Sequence, residues 1–192
     1  LATQFNPTGW DPERIVQLAK DAGMQSIVLT AKHHDGFCMF ASDQTDFDVV
    51  DATPYGQDVV KGLAEACARG GLKFGLYYSL IDWHHPEFTI DRVHPQRVNT
   101  KAEYDELNKD RDMAVYREYL KNQVREILTK YGKIDILWLD FSYPGEFGKG
   151  RDEWGSVELV KMVREIQPDI IINDRADLKD YWGGWDFTTP EQ

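Results

Sequence analysis

Four short apolar runs, separated by helix-forming stretches and each closing on polar side chains, limit what this 192-residue chain can fold into. The first, 26–31, leads into Lys32-His33-His34-Asp35-Gly36-Phe37, and the second, 72–78, ends at Tyr77-Tyr78-Ser79. The third, 134–140, closes on Asp140, and the fourth, 170–173, runs into Asp174-Arg175. Apolar residues at consecutive positions suit strands covered on both faces. Helix signals lie between the runs. Asp11-Pro12 reads as an N-cap with proline in the first turn, and Ile15, Val16, Leu18, Ala19 and Ala22 form a stripe that stops at Gly23. Further helices are predicted over 58–68, 113–131 and 153–166.

Helix and strand thus alternate, which argues for a parallel α/β sheet. A closed β/α barrel needs eight such units and about 250 residues. This chain supplies four, with the start of a fifth at Trp185-Asp186-Phe187. It reads as about half a barrel or as an open doubly wound sheet. No glycine-rich loop follows any strand, which counts against the nucleotide-binding form of the open sheet. Residues 82–111 are polar, contain Pro86 and Pro95, show no period and read as one long functional loop. The opening Leu1 and the closing Gln192, just after a candidate acid, read as positions inside a longer protein.

With 33 acidic and 22 basic residues the net charge is −11, which repels phosphate backbones and argues against nucleic-acid binding. No apolar run approaches the roughly 18 residues of a membrane span. Six tryptophans and nine tyrosines suit a protein that stacks rings on sugars, and suit an ordinary core equally. Cys38 and Cys67 read as two unpaired thiols, with one disulfide as the alternative.

Asp140 is the strongest candidate for chemistry, because it emerges from Ile136-Leu137-Trp138-Leu139 at a strand's carboxyl end. There an ionised acid needs a partner to offset desolvation, and a helix-capping role is the alternative. Glu191, in Thr-Thr-Pro-Glu, could be the second acid or simply part of a turn entering a helix. Arg175 could hold Asp140 ionised, bind a hydroxyl, or pair with Asp174 or Asp177. Tyr77 and Tyr78 must point to opposite faces, whereas Trp138 and Asp140 share one. His33 and His34, as neighbours at a strand end, should diverge, so they suit hydrogen bonds to hydroxyls better than a shared metal. His84, His85 and His94 could reach the site only if the long loop folds back.

Together, His33-His34-Asp35-Gly36-Phe37, Thr45-Asp46-Phe47, Gly75-Leu76-Tyr77-Tyr78-Ser79, Leu137-Trp138-Leu139-Asp140, Asn173-Asp174-Arg175 and the Asp186-to-Glu191 ending resemble the α-L-fucosidases of glycoside hydrolase family 29. The resemblance implies a TIM-type parallel (β/α) barrel, incomplete here, with residues 1–192 as part of a catalytic domain and the family's C-terminal β-sandwich missing. It implies a retaining hydrolase of fucosylated oligosaccharides or glycoconjugates that uses no metal and no cofactor. By resemblance Asp140 is the nucleophile, Glu191 the general acid/base, and His33, His34, Tyr77, Trp138 and Arg175 bind the sugar. Phe37, Trp138 and Tyr77 are candidates for the apolar wall that the fucose methyl requires. A metal-dependent barrel hydrolase and a sugar-binding but inactive half-barrel are the competing readings. Because four units leave strand edges open, a homo-oligomer is expected.

Overall fold

A computed structural model describes residues 1–190. Its elements are α1 (Pro12–Asp21), β1 (Ser26–Lys32), α2 (Val59–Gly70), β2 (Lys73–Ser79), α3 (Lys101–Asn108), α4 (Met113–Thr129), β3 (Ile136–Asp140), α5 (Arg151–Trp154), α6 (Ser156–Ile166) and β4 (Ile171–Ile172). The strands form one parallel sheet in the order β1-β2-β3-β4. The expected fifth run is present as a parallel bridge from Phe187 to Asn173. It is reinforced where Asp186 N–H donates to Ile172 O and Ile172 N–H donates to Asp186 Oδ2, both at 2.7 Å.

Three helices start where an aspartate accepts from the first turn: Asp11 from Arg14 N–H, Asp58 from Lys61 N–H and Asp112 from Ala114 N–H. Two features depart from expectation. The segment 82–111 is not one irregular loop, because α3 forms inside it. This helix buries only Tyr104, so no apolar stripe announces it, and a Thr100–Glu103 capping box starts it instead. The helix predicted over 153–166 is broken into α5 and α6 at Gly155, whose φ of +61° interrupts it.

The main core lies on one face of the sheet. Leu76, Tyr78, Leu137, Leu139 and Ile172 point there and are fully buried. The opposite face carries Thr30, Tyr77, Ile136 and Trp138, all accessible to some degree, and Val28, which is 38% exposed. At the centre of this face Gly75 passes so close to its neighbours that an added Cβ would lie 2.7 Å from Ile136 Cβ. Cys38 and Cys67 are free and buried, and burial pushes their thiols up to about 12 and about 11. Among the described residues no helix is long and apolar enough to cross a membrane.

A buried polar chain ties the sheet to α4. Tyr78 Oη donates to Gln123 Oε1 (2.7 Å), Gln123 Nε2 donates to Ser42 Oγ (3.0 Å), and Ser42 Oγ donates to Glu126 Oε2 (2.9 Å). Tyr78→Phe keeps the ring but strands the Gln123 carbonyl in the core. It should cost about 1–3 kcal/mol, read as a lower urea midpoint at unchanged slope.

Candidate active site at the carboxyl ends of the strands

The polar ends of the strands converge on Asp140. In register, Tyr77 pairs with Trp138 and Ser79 with Asp140, so Tyr77 and Asp140 share the accessible face two residues apart. Tyr77 Oη donates to Asp140 Oδ2 at 2.8 Å. Asp140 is 7% exposed, and its Oδ1 is buried with no hydrogen-bond partner among the described residues. A buried carboxylate oxygen left unsatisfied is unfavourable in a structural position and useful in a reactive one. Trp138 lies on the same face, its ring 5.7 Å from that of Phe187.

His33 and His34 do not diverge as expected. β1 ends at Lys32, and a turn closed by Gly36 N–H to His33 O (3.0 Å) brings the two rings to 4.2 Å. His33 stacks parallel on Tyr77 at 5.6 Å. The Nδ1 of His34 lies 2.6 Å from Ser79 Oγ, and its ring meets Trp83 and Phe141 edge-on. Phe37, one of the proposed wall residues, packs its ring against Phe47 instead, at 5.2 Å.

Arg175 lies on a 3-10 turn after β4 (Asp174–Ala176). Its described hydrogen bonds reach Thr189, from Nε to the hydroxyl and from Nη2 to the carbonyl. The cation paired with Asp174 is Lys179, at 2.8 Å. Burial opposes ionisation of Asp174, but donors from Lys179 and Thr189 outweigh it and hold the carboxyl below its usual range. Asp177 accepts from Arg151 N–H. Glu191 lies outside the described residues. The loop histidines act as packing groups: His84 stacks on Phe47, His85 lies against Tyr116 and Tyr119, and His94 against Phe88. Burial lowers the pKa of both His85 and His94, which favours their neutral forms. Among the described residues no group of three His, Cys, Asp or Glu side chains is disposed to hold a metal ion.

Sequence reasoning missed the ion pair beneath the histidines. Lys32 Nζ donates to Asp82 Oδ2 at 3.1 Å, with side chains 0% and 1% exposed. The ammonium sits over the Tyr78 ring at 4.4 Å, with Tyr116 and Tyr119 further around it. The other oxygen of Asp82 accepts from His84 and His85 N–H, and Trp83 N–H donates to His34 O at 2.8 Å. Gly36 packs so closely here that a Cβ would fall 2.2 Å from Asp82 Oδ1. A second buried pair, Asp91–Lys149, joined by Tyr143 Oη, fastens the segment after β3 to the 82–94 loop. Desolvation lowers the pKa of Lys149 against the pull of Asp91.

The fold and this cluster define a parallel α/β protein with a ring-rich polar site at its strand ends. The chain belongs to the α-L-fucosidase family, whose sequence profile matches residues 1–192. It is 36% identical over 189 residues to alpha-L-fucosidase 1 of Arabidopsis thaliana, covering 94% of this chain and 31% of that protein. Among solved structures, alpha-L-fucosidase isoenzyme 1 of Paenibacillus thiaminolyticus superposes with a TM-score of 0.82 at 45% identity, over 91% of this chain and 40% of that one. The Lactobacillus casei fucosidase AlfC, solved with α-L-fucose product, gives 0.82 at 36% identity over 100% of this chain and 58% of that one. The chain therefore spans about a third of the Arabidopsis relative and roughly half of these solved chains.

Breaking the buried pair from one side tests its energetics. Asp82→Asn leaves the Lys32 ammonium uncompensated and should cost about 3–5 kcal/mol, whereas the double variant Lys32→Met/Asp82→Asn should recover much of that loss. Chemical denaturation of the three proteins measures both effects.

Proposed function

We propose that this chain is the nucleophile-bearing part of a retaining α-L-fucosidase. The observation that carries the reading is the state of Asp140. Tyr77 occupies one carboxylate oxygen with a charge-assisted hydrogen bond, while the other is buried without a partner among the described residues. Such a carboxylate is held in place and has one oxygen available for attack. In this reading Asp140 attacks the anomeric carbon as Glu191 protonates the departing glycosidic oxygen, giving a fucosyl ester. Glu191 then takes a proton from the water that cleaves the ester. Retention requires the two carboxyl groups about 5–5.5 Å apart. Thr189, two residues before Glu191 in the sequence, is hydrogen-bonded to Arg175.

The sugar-binding set in this proposal is His33, His34, Tyr77, Trp138 and Arg175. Trp138 and Tyr77, adjacent on one face, supply apolar surface for the fucose methyl; Phe37 fits this role less well because its ring is engaged with Phe47. The substrate class is a fucosylated oligosaccharide or glycoconjugate, and AlfC structures with α-L-fucose and with Fuca(1,6)GlcNAc support it by relationship.

The same proposal treats residues 1–192 as part of a TIM-type (β/α) barrel, followed in the whole protein by a β-sandwich. The strand order β1-β2-β3-β4 never reverses, as it would at the switch point of a doubly wound sheet. The accessible Val28 and Ile171 suit a barrel interior that further strands complete, or an oligomer in which a second copy covers them.

Asp140→Gly in the full-length protein should abolish turnover of an aryl α-L-fucoside. Added azide, entering from the vacated face, should restore release and give β-fucosyl azide. An α-azide product would reverse the two carboxylate roles.

A further inference from the structure

One short pattern occurs twice in the segment after β2, as Asp82-Trp83-His84-His85-Pro86 and again as Asp91-Arg92-Val93-His94-Pro95. Both copies build the same turn. Each aspartate is buried and caps two amides with Oδ1: Asp82 those of His84 and His85 (3.0 and 2.9 Å), Asp91 those of Val93 and His94 (both 3.0 Å). Each gives Oδ2 to a buried lysine and a tyrosine hydroxyl, Lys32 and Tyr119 in the first copy, Lys149 and Tyr143 in the second. Each histidine then accepts from the amide two residues on. Glu87 N–H donates to His85 Nδ1 at 3.1 Å and Gln96 N–H to His94 Nδ1 at 3.0 Å. The anchors lie on opposite sides of the site. The first copy hangs on β1 and α4 and holds His34 O through Trp83 N–H, while the second hangs on the segment that follows Asp140. The rings of Trp83 and His94 join the two copies edge-on at 6.4 Å.

A ring nitrogen that accepts from an amide is unprotonated, so both turns close around neutral imidazoles. Protonation at Nδ1 would set an N–H against an N–H in each. Burial is the largest influence on both rings and moves both pKa values down. At His85, Lys32 and His84 add to it, Asp82 and Glu87 oppose it, and the Tyr116 and Tyr119 rings form the walls. At His94, Arg111 and Lys149 add to it, Asp91 and the Trp83 carbonyl oppose it, and Trp83 and Phe88 form the walls. We infer that His85 and His94 are positioning residues that hold segment 82–97 across the strand ends only while both are neutral, so that acid releases it by adding one proton to each ring. In the open segment both imidazoles meet water and titrate at about 6.5. Their closed-state values are lower, so closure is fully stabilised above that pH and is lost as pH falls from there through the closed-state range. The two turns share one stretch of chain and open together. The open population should therefore rise by up to about a hundredfold per pH unit in that window, against about tenfold for a single proton.

Amide hydrogen exchange on the full-length protein, each rate corrected for intrinsic exchange at that pH, reads the opening. The amides of Trp83, His85, Glu87, His94 and Gln96 should lose protection steeply below about pH 6.5, while those of β2 keep theirs. Asparagine can accept from the same amide through its side-chain carbonyl and takes up no proton. His85→Asn and His94→Asn should each cut the steepness to about tenfold per unit, and the double variant should abolish it while staying closed at neutral pH. If the double variant does not fold, the single variants carry the same test. A wild-type profile that is flat across the acid range overturns the inference, as does a steepness that the substitutions leave unchanged. The consequence for the site rests on the fucosidase reading. KM for an aryl α-L-fucoside should rise about tenfold in the wild type relative to the double variant at the pH where about nine-tenths of the segment is open. Titration of the catalytic carboxylates cancels from that ratio, and a ratio that stays at one overturns the positioning role. A protein inert toward aryl α-L-fucosides at every pH would instead sink the fucosidase reading, while the exchange profiles still decide the release.

Discussion

Lys32 and Asp82 are both excluded from water, and the geometry of the strand ends depends on their pairing. Removing two charges from solvent is costly, and a well-packed apolar pair could be as stable. What an apolar pair could not do is organise two chain segments at once. Asp82 accepts from Lys32 and Tyr119 with one oxygen and from the His84 and His85 amides with the other, so the turn after β2 is built around it. That turn carries Trp83, whose amide holds the His34 carbonyl. The close approach of Gly36 lets the β1 turn fit against the same carboxylate. The paired histidines are thus fixed from beneath by an ion pair that never reaches the site.

From this base the chemistry is layered by strand register. The bulge between Thr30 and Lys32 aligns Lys32 with Tyr78 on the helix side of the sheet. The next face carries Tyr77 and Trp138, then Ser79 and Asp140. Strand alternation alone therefore separates the phenol that stabilises the core from the one that bonds the carboxylate. The amide of Asn173 continues the ladder past the end of β4, accepting from Leu139 N–H at 2.9 Å and donating to Leu139 O at 2.8 Å. This links the segment that carries Arg175 firmly to the strand that carries Asp140.

Much of this was legible in the sequence because it is written locally. The four apolar runs gave the parallel strands, Asp11-Pro12 gave the first helix start, and the opposed faces of Tyr77 and Tyr78 followed from the pleat. Helix α3 escaped because a mostly polar helix has no stripe to read, although Thr100 and Glu103 had the spacing of a capping box. The turn after Lys32 escaped because strand alternation was carried past the end of the run onto His33 and His34, and alternation sends neighbours to opposite faces. The Lys32–Asp82 and Asp91–Lys149 pairs join residues 50 and 58 positions apart, and no local pattern encodes such a partnership. Ser79 was visible in a motif, but the ring that it meets is 45 residues away.

The central claim is that Asp140 forms the covalent bond to the sugar. A 2-deoxy-2-fluoro-fucosyl fluoride tests it directly, since the fluoride leaves without a proton while the 2-fluoro group slows hydrolysis of the ester. Full-length protein treated with this reagent, digested and mapped by mass spectrometry should carry one fucosyl adduct, on the Asp140 side chain. An adduct on any other carboxylate, or continued turnover of the reagent with Asp140 unmodified at every time point, would contradict it.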